Sequence, residues 1–332
     1  MKFIEMFAGI GGFRYGLEKA NKGSGQLGAG SRSSECSRPI RNSTNSEGDA
    51  RQGDKDYYRC VWANDIDKYA CQVYRKHYEE VCEQDIRTVD TSIIPEHDLL
   101  CAGFPCQSFS IAGKRKGFED TRGTLFFEIC RVIRTKRPGY LLLENVKGLL
   151  SHDDGATFQT IIRTLDELGY DCQWQVLNSK DYGVPQNRER VFIIGHSRGQ
   201  PRPKVFPIGE ADKVYPETDE QVSHAIDSNY HKGWLDNQQR TMIRSVNAVN
   251  KDNPMYGRNN LTPEISSCLN SVDAMGVQIE NRIRRLTPIE CERLQGFPDN
   301  WTQGISDTQR YKCLGNAVTT NVIEAIGRQL NI

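Results

Sequence analysis

Four short stretches of this 332-residue chain combine residue types that can do chemistry. In Gly103-Phe104-Pro105-Cys106-Gln107-Ser108-Phe109-Ser110 a cysteine sits in a turn, and a basic loop, Gly113-Lys114-Arg115-Lys116-Gly117, follows it. Neighbouring positive charge favours the thiolate, so the position suits an accessible nucleophile; a buried, inert thiol is the plainer alternative. Leu143-Glu144-Asn145-Val146 ends an apolar run with a carboxylate, which there can hold or donate a proton near neutrality or simply cap a turn. In Gln186-Asn187-Arg188-Glu189-Arg190 an extended backbone would put Gln186, Arg188 and Arg190 on one face, a pattern suited to an anion or a base edge. Phe7-Ala8-Gly9-Ile10-Gly11-Gly12 is a glycine-rich turn that lets backbone approach a ligand. Asp65 and Asp85 end the second and third candidate strands, where carboxylates commonly meet ribose hydroxyls. Together these features point to a nucleoside-containing cofactor. The glycines lack the GxGxxG spacing, so another adenosine ligand fits better than NAD.

These groups need a frame. Lys2–Met6 reads as a buried strand and Phe13–Ala20 as the start of a helix. Further strands are expected at Cys60–Asn64, Asp98–Ala102, Tyr140–Leu143, Cys172–Leu177 and Val191–Ile194, with Cys82–Ile86 a third strand or its end. Helices are expected at Asp67–Tyr78, Leu125–Arg134, Phe158–Leu168 and Asn316–Leu330. Strands alternating with helices imply an α/β fold with a doubly wound sheet. Residues 22–56 carry hardly an apolar side chain and are expected to form a flexible insert. Residues 197–280 are polar with no clean period, the composition of a smaller, irregular domain.

Composition narrows the function classes. The 43 Lys and Arg balance 43 Asp and Glu, which excludes coating nucleic acid by bulk charge but leaves room for a local basic groove. No apolar run reaches the roughly 18 residues of a membrane-spanning helix, and the N-terminus is no secretory signal. The eleven cysteines include no CxxC pair, which argues against a disulfide framework or a zinc ribbon, and no metal is expected.

The ordered set of motifs resembles the C5-cytosine-specific DNA methyltransferases of the bacterial, archaeal or phage type. Besides the four stretches above it includes Thr121-Arg122-Gly123-Thr124-Leu125-Phe126, Arg285-Leu286-Thr287-Pro288-Ile289-Glu290-Cys291, Gln295-Gly296-Phe297-Pro298 and Leu314-Gly315-Asn316-Ala317-Val318, so it spans residues 3 to about 326. The resemblance implies a Rossmann-like, S-adenosylmethionine-dependent sheet formed by 1–195 plus 308–332, with a target-recognition domain and hinge at 196–307. It implies methyl transfer to C5 of cytosine in a short double-stranded DNA sequence, on a base flipped out of the helix. Cys106 matches the nucleophile that adds to C6. Glu144 matches the residue that contacts N3 and the exocyclic amine, Arg190 the group near O2, and Arg188 a shaper of that pocket.

The same resemblance assigns cofactor contacts to Phe7, Gly9, Ile10, Gly11, Gly12, Asp65, Ile66, Asp85, Ile86, Pro105, Leu125, Asn316 and Ala317. It assigns DNA contacts to Gln107, Ser108, Ser110, Lys114, Arg115, Arg122 and Arg285. Cys268-Leu269 lies nearest to the Thr-Leu pair that often marks the recognition core. A monomer in the cytoplasm, associated with the nucleoid and accompanied by a separately encoded restriction endonuclease, fits this picture. Two other readings are a tRNA methyltransferase, whose Cys-Phe-Thr tripeptide is absent here, and a non-catalytic homologue, which would typically lack the Cys or the Glu retained here.

Overall fold

A computed structural model describes residues 1–22, 57–105, 125–208, 223–224, 277–279, 282–284 and 286–330. In chain order its main elements are β1 (Lys2–Met6), α1 (Gly12–Lys22), β2 (Arg59–Asp65), α2 (Lys68–Tyr78), β3 (Cys82–Glu83), β4 (Leu99–Gly103), α3 (Leu125–Lys136), β5 (Tyr140–Val146), α4 (Ala156–Glu167), β6 (Tyr170–Asn178), β7 (Gln186–Asn187) and β8 (Glu189–Ser197). Then come β9 (Ser223–His224), β10 (Val277–Ile279), β11 (Arg282–Arg284), α5 (Pro288–Leu294), α6 (Asp307–Asn316) and α7 (Thr320–Leu330).

Among the described residues seven strands form one sheet in the order β3-β2-β1-β4-β5-β8-β6. The first five are parallel, while β8 runs antiparallel to both β5 and β6. The chain works outward from β1 to β3 and then returns to β4, which makes the β1–β4 junction the switch point where open sheets bind ligands. The period of two divides the strand residues between two cores. Phe3, Leu99, Leu142 and Ile194 share a cluster with Leu17 of α1 and Ile323 and Ile326 of α7. Ile4, Leu100, Leu141 and Ile193 share the opposite one with Ile129 and Ile133 of α3 and Ile161 of α4. Each fully buried Leu or Ile contributes about 1.5–3 kcal/mol, so two-sided coverage fixes the register of every central strand. A third cluster joins Ile10, Ala70 and Val73 to Leu286, Leu294, Phe297 and Trp301, which brings residues 286–301 against α2.

Three elements differ from the sequence reading. The expected strand Cys82–Ile86 stops at Glu83, because Asp85 accepts the Arg87 amide at 3.0 Å and caps a short 3-10 turn over Ile86–Thr88. The extended run that would align Gln186, Arg188 and Arg190 on one face is broken at Arg188, between β7 and β8. The single terminal helix expected from Asn316 is two helices. Ala317 is extended (φ −68°, ψ 147°), and the Thr320 amide donates to Gln295 O at 3.0 Å instead of continuing α6. Among the described residues no helix is long and apolar enough to cross a membrane.

Candidate active site

The C-terminal end of β5 carries Glu144, and the reversed strand beside it supplies the countercharge. Antiparallel pairing sets Glu144 opposite Phe192 and Val146 opposite Arg190. Arg190 is therefore the diagonal neighbour of Glu144, within reach of a long side chain. Its Nε lies 3.1 Å from Glu144 Oε1, with the two side chains only 19% and 13% exposed. On the other flank a Cβ at Gly103, the last residue of β4, would lie 3.2 Å from Glu144 Oε2, tight enough to press on the carboxylate. Asn145 is buried and donates to Phe104 O at 2.9 Å. The strand end that presents Glu144 thus also anchors the root of the Pro-Cys-Gln segment. Sequence reasoning gave Asn145 no role, because its partner, Phe104 O, is remote in sequence.

Gln186 and Arg188 do not join this pair. Gln186 Nε2 donates to Leu294 O at 2.8 Å, and Arg188 Nη2 donates to Gly315 O at 3.0 Å and Ala317 O at 2.9 Å. The three polar side chains predicted to share a face serve three different places, two of them buried carbonyls. Cys106, Gln107, Ser108, Ser110, Lys114, Arg115, Arg122, Arg285, Cys268 and the insert from residue 23 to 56 lie outside the described residues. Several described thiols are poorly suited to nucleophilic work, since burial pushes Cys60, Cys130 and Cys313 up to about 12.

At the ends of β1 and β2 the site is built from backbone. Ala8 N donates to Asn64 O at 2.9 Å, and Gly9 N donates to Asp65 Oδ2 at 2.7 Å. The other Asp65 oxygen accepts the Asp67 amide at 2.8 Å, while burial pushes this carboxyl above its ordinary value. Gly11 has φ +87°, and a Cβ there would come within 2.6 Å of the Tyr78 ring. Gly9, by contrast, would meet nothing within 4 Å, so open space lies over the loop. Phe7, Ile86, Phe104 and Leu125 share one apolar cluster beside it, and Ile66 is 65% exposed at the end of β2. The Asp85 carboxylate is taken by Arg87, whose guanidinium and amide hold it below the usual range. Pro105 and Asn316 are exposed and Ala317 is buried. Below the loop, Glu5 was missed by the sequence reading. It is fully buried, accepts Phe13 N at 3.1 Å and the Tyr74 hydroxyl at 3.3 Å, and is pushed by burial up to about 8.

The site therefore joins a rigid carboxylate–guanidinium pair to an open, amide-lined loop across one sheet edge. Comparison with known proteins places similar chains in one group. The family model for C-5 cytosine-specific DNA methylase matches residues 1–331. The type II methyltransferase M.HhaI of Haemophilus parahaemolyticus is 35% identical over 98% of this chain and 93% of its own. M.NgoBI of Neisseria gonorrhoeae is 38% identical over 98% and 91%. In fold, the chain resembles the S. pombe Dnmt2 methyltransferase, with a TM-score of 0.59 at 21% identity, covering 98% of this chain and 96% of that one. It also resembles a putative DNA modification methyltransferase from an E. coli prophage, with a TM-score of 0.58 at 18% identity, covering 99% and 98%.

Proposed function

The chain belongs to the C-5 cytosine-specific DNA methylases and is a DNA cytosine-5-methyltransferase, and from that premise we propose the donor, the mechanism and the residues that carry them. The donor is S-adenosylmethionine, and the target is one cytosine within a short specific sequence of double-stranded DNA. The observation that carries the reading is the Glu144–Arg190 pair beside Gly103, next to the anchored root of the segment that bears Cys106.

The residues at the loop fit such a donor. The space above Gly9, the exposed Ile66 and the half-buried Phe7 suit an adenosine, and the Asp65 carboxylate is placed to accept a ribose hydroxyl. Gly9, Ile10, Gly11 and Gly12 would surround the methionine part; Asp85 and Ile86 would meet the adenine edge. Pro105, Leu125, Asn316 and Ala317 would close the pocket. Bound there, S-adenosylmethionine supplies an electrophilic methyl group on a sulfonium.

The chain's own residues make C5 nucleophilic. The Cys106 thiolate forms a bond to C6, and the C5–C6 π pair shifts toward C5. Glu144, protonated when the base is bound, shares its proton with N3 and accepts from the exocyclic amine, which offsets the negative charge the thiolate brings onto the ring, and Arg190 holds Glu144 while approaching O2. Arg188 shapes the pocket wall from behind. After C5 is methylated its proton leaves to a base, the C5–C6 double bond re-forms and the thiolate departs. A duplex hides C5 and C6, so the base must be flipped out at a cost of a few kcal/mol. Gln107, Ser108, Ser110, Lys114, Arg115, Arg122 and Arg285 contact the DNA. The domain division 1–195 plus 308–332 against 196–307 belongs to the same proposal, as do a monomeric enzyme, nucleoid association and a separate endonuclease partner.

The test is methylation-sensitive sequencing of DNA from a bacterial host expressing this chain or its Cys106→Ala variant. The expected result is 5-methylcytosine in one short context, absent with the variant. Retained marks in Cys106→Ala would remove the nucleophile assignment.

A further inference from the structure

Trp301 lies in the turn between α5 and α6, beyond the residues of the Gln-Gly-Phe-Pro motif. Its indole Nε1 donates to Ile10 O at 3.0 Å, and both residues are buried. Ile10 is the residue between Gly9 and Gly11, whose φ values of +55° and +87° bend the loop. That loop is held to β2 on one flank through Asn64 O and the Asp65 carboxylate. From the other flank Trp301 holds it across 291 residues of sequence.

The indole is itself immobilised. It stacks parallel on His77 of α2 at 3.6 Å and 6°, and packs at 4.9 Å on Tyr15 of α1 and at 5.1 Å on Phe297. His77 Nε2 is 2.8 Å from Trp301 O, and Lys76 Nζ donates to Asn300 O and Gln303 O. From the opposite side the fully buried Glu292 accepts Asn300 N at 2.6 Å, Thr302 N at 2.8 Å and Arg310 Nη2 at 3.1 Å. Every element that touches the turn leaves the indole one orientation. A donor so fixed dictates which way the Ile10 peptide faces, and with it the amides and open space of the loop.

We infer that Trp301 is a positioning residue for the cofactor: its N–H sets the Ile10 peptide and so pre-forms the loop that binds S-adenosylmethionine. The inference rests on the donor assignment made above. Trp301 acts through Ile10 and not on the cofactor itself, so its loss leaves the chemical step intact once the site is filled. Removing the donor frees a buried carbonyl, and the loop then samples other orientations. If the competent one is populated about one time in ten, the apparent Kd rises about tenfold.

The test is calorimetric titration of S-adenosylhomocysteine into the wild type, Trp301→Phe, which keeps the ring stack but lacks the donor, and His77→Leu, which loosens the stack from the surface of α2. Steady-state methylation is measured in parallel. Expected are a Kd and a cofactor KM raised about tenfold in Trp301→Phe, a kcat within about twofold, and a rise of about threefold in His77→Leu. A folded Trp301→Phe that binds within twofold of the wild type, even if less stable, reduces Trp301 to packing and overturns the inference. Should that variant not fold, an unchanged Kd in His77→Leu does the same. A wild type that binds no S-adenosylhomocysteine removes the donor assignment instead.

Discussion

The two halves of the sheet edge are built in opposite ways. On the side of β5 and β8 the working groups are side chains on adjacent strands, Glu144 and Arg190, paired at 3.1 Å. On the side of β1 and β2 they are backbone amides and carbonyls of a loop, braced by Asp65 and by Trp301 from the far end of the chain. The difference matches the tasks proposed for the two sides. Managing charge on a reacting ring needs a carboxylate that cannot wander, and a strand end supplies that stiffness. Receiving a large cofactor needs concave backbone, which cannot hold itself and must be braced from outside. Damage on the first side should therefore appear in rate, and damage on the second in affinity.

The sharpest way to break that contrast is Glu144→Gln. Its turnover is expected to fall about a thousandfold, within the range for loss of a catalytic acid, with the cofactor Kd unchanged. A shift confined to cofactor affinity, measured by titration, would place Glu144 on the wrong side of the comparison. Next comes Arg190→Met, which strands the Glu144 carboxylate without its countercharge. Urea unfolding should show a loss of about 3 kcal/mol, the cost of a broken, mostly buried pair, together with a lower rate. Arg188 spans the two halves, since it sits between the strands of the base side yet serves the carbonyls of Gly315 and Ala317. Arg188→Lys should cost about 1–2 kcal/mol in unfolding free energy and weaken cofactor binding as well, which titration alongside urea melts would reveal.

The smallest effect on any single pH step belongs to Glu5. Folded, it keeps its proton up to about 8; unfolded, it ionises near 4.5. Folding therefore takes up a proton between those values. The Glu5 contribution is fully present below about 4.5, declines as pH rises through the window and levels off above about 8. The decline is at most about 1.4 kcal/mol per pH unit, and Glu5→Gln should flatten it in urea melts run across that range.

Much of the frame was legible in the residues because two-sided burial leaves a strong signal. Tyr140–Leu143 could only be an interior strand, and Phe158, Ile161, Ile162, Leu165 and Leu168 could only face a sheet from a helix. Glu144 stood out as a charge at the end of such a run. What stayed hidden depends on partners remote in sequence. Nothing near Asn145 announces that its amide serves Phe104 O, and nothing near Arg188 names the carbonyls of Gly315 and Ala317. The break between α6 and α7 was invisible for the same reason. The local sequence there lacks proline, and bonds to remote residues, among them those from Arg188 and to Gln295 O, favour an extended Ala317 and a new start at Thr320.

The long reach from Trp301 to Ile10 also governs how the protein comes into being. Pairings between distant parts of a chain form slowly, and those needing the last-made segments form last. On the ribosome the loop around Ile10 is made well before its brace, which is synthesised 291 residues later, and α7, which covers α1, follows later still. Over that span a nascent chain carries the glycine loop without the Trp301 brace. Under the proposed function, capture of the donor would wait for that brace, and a bound cofactor would stabilise the loop and its distant support together.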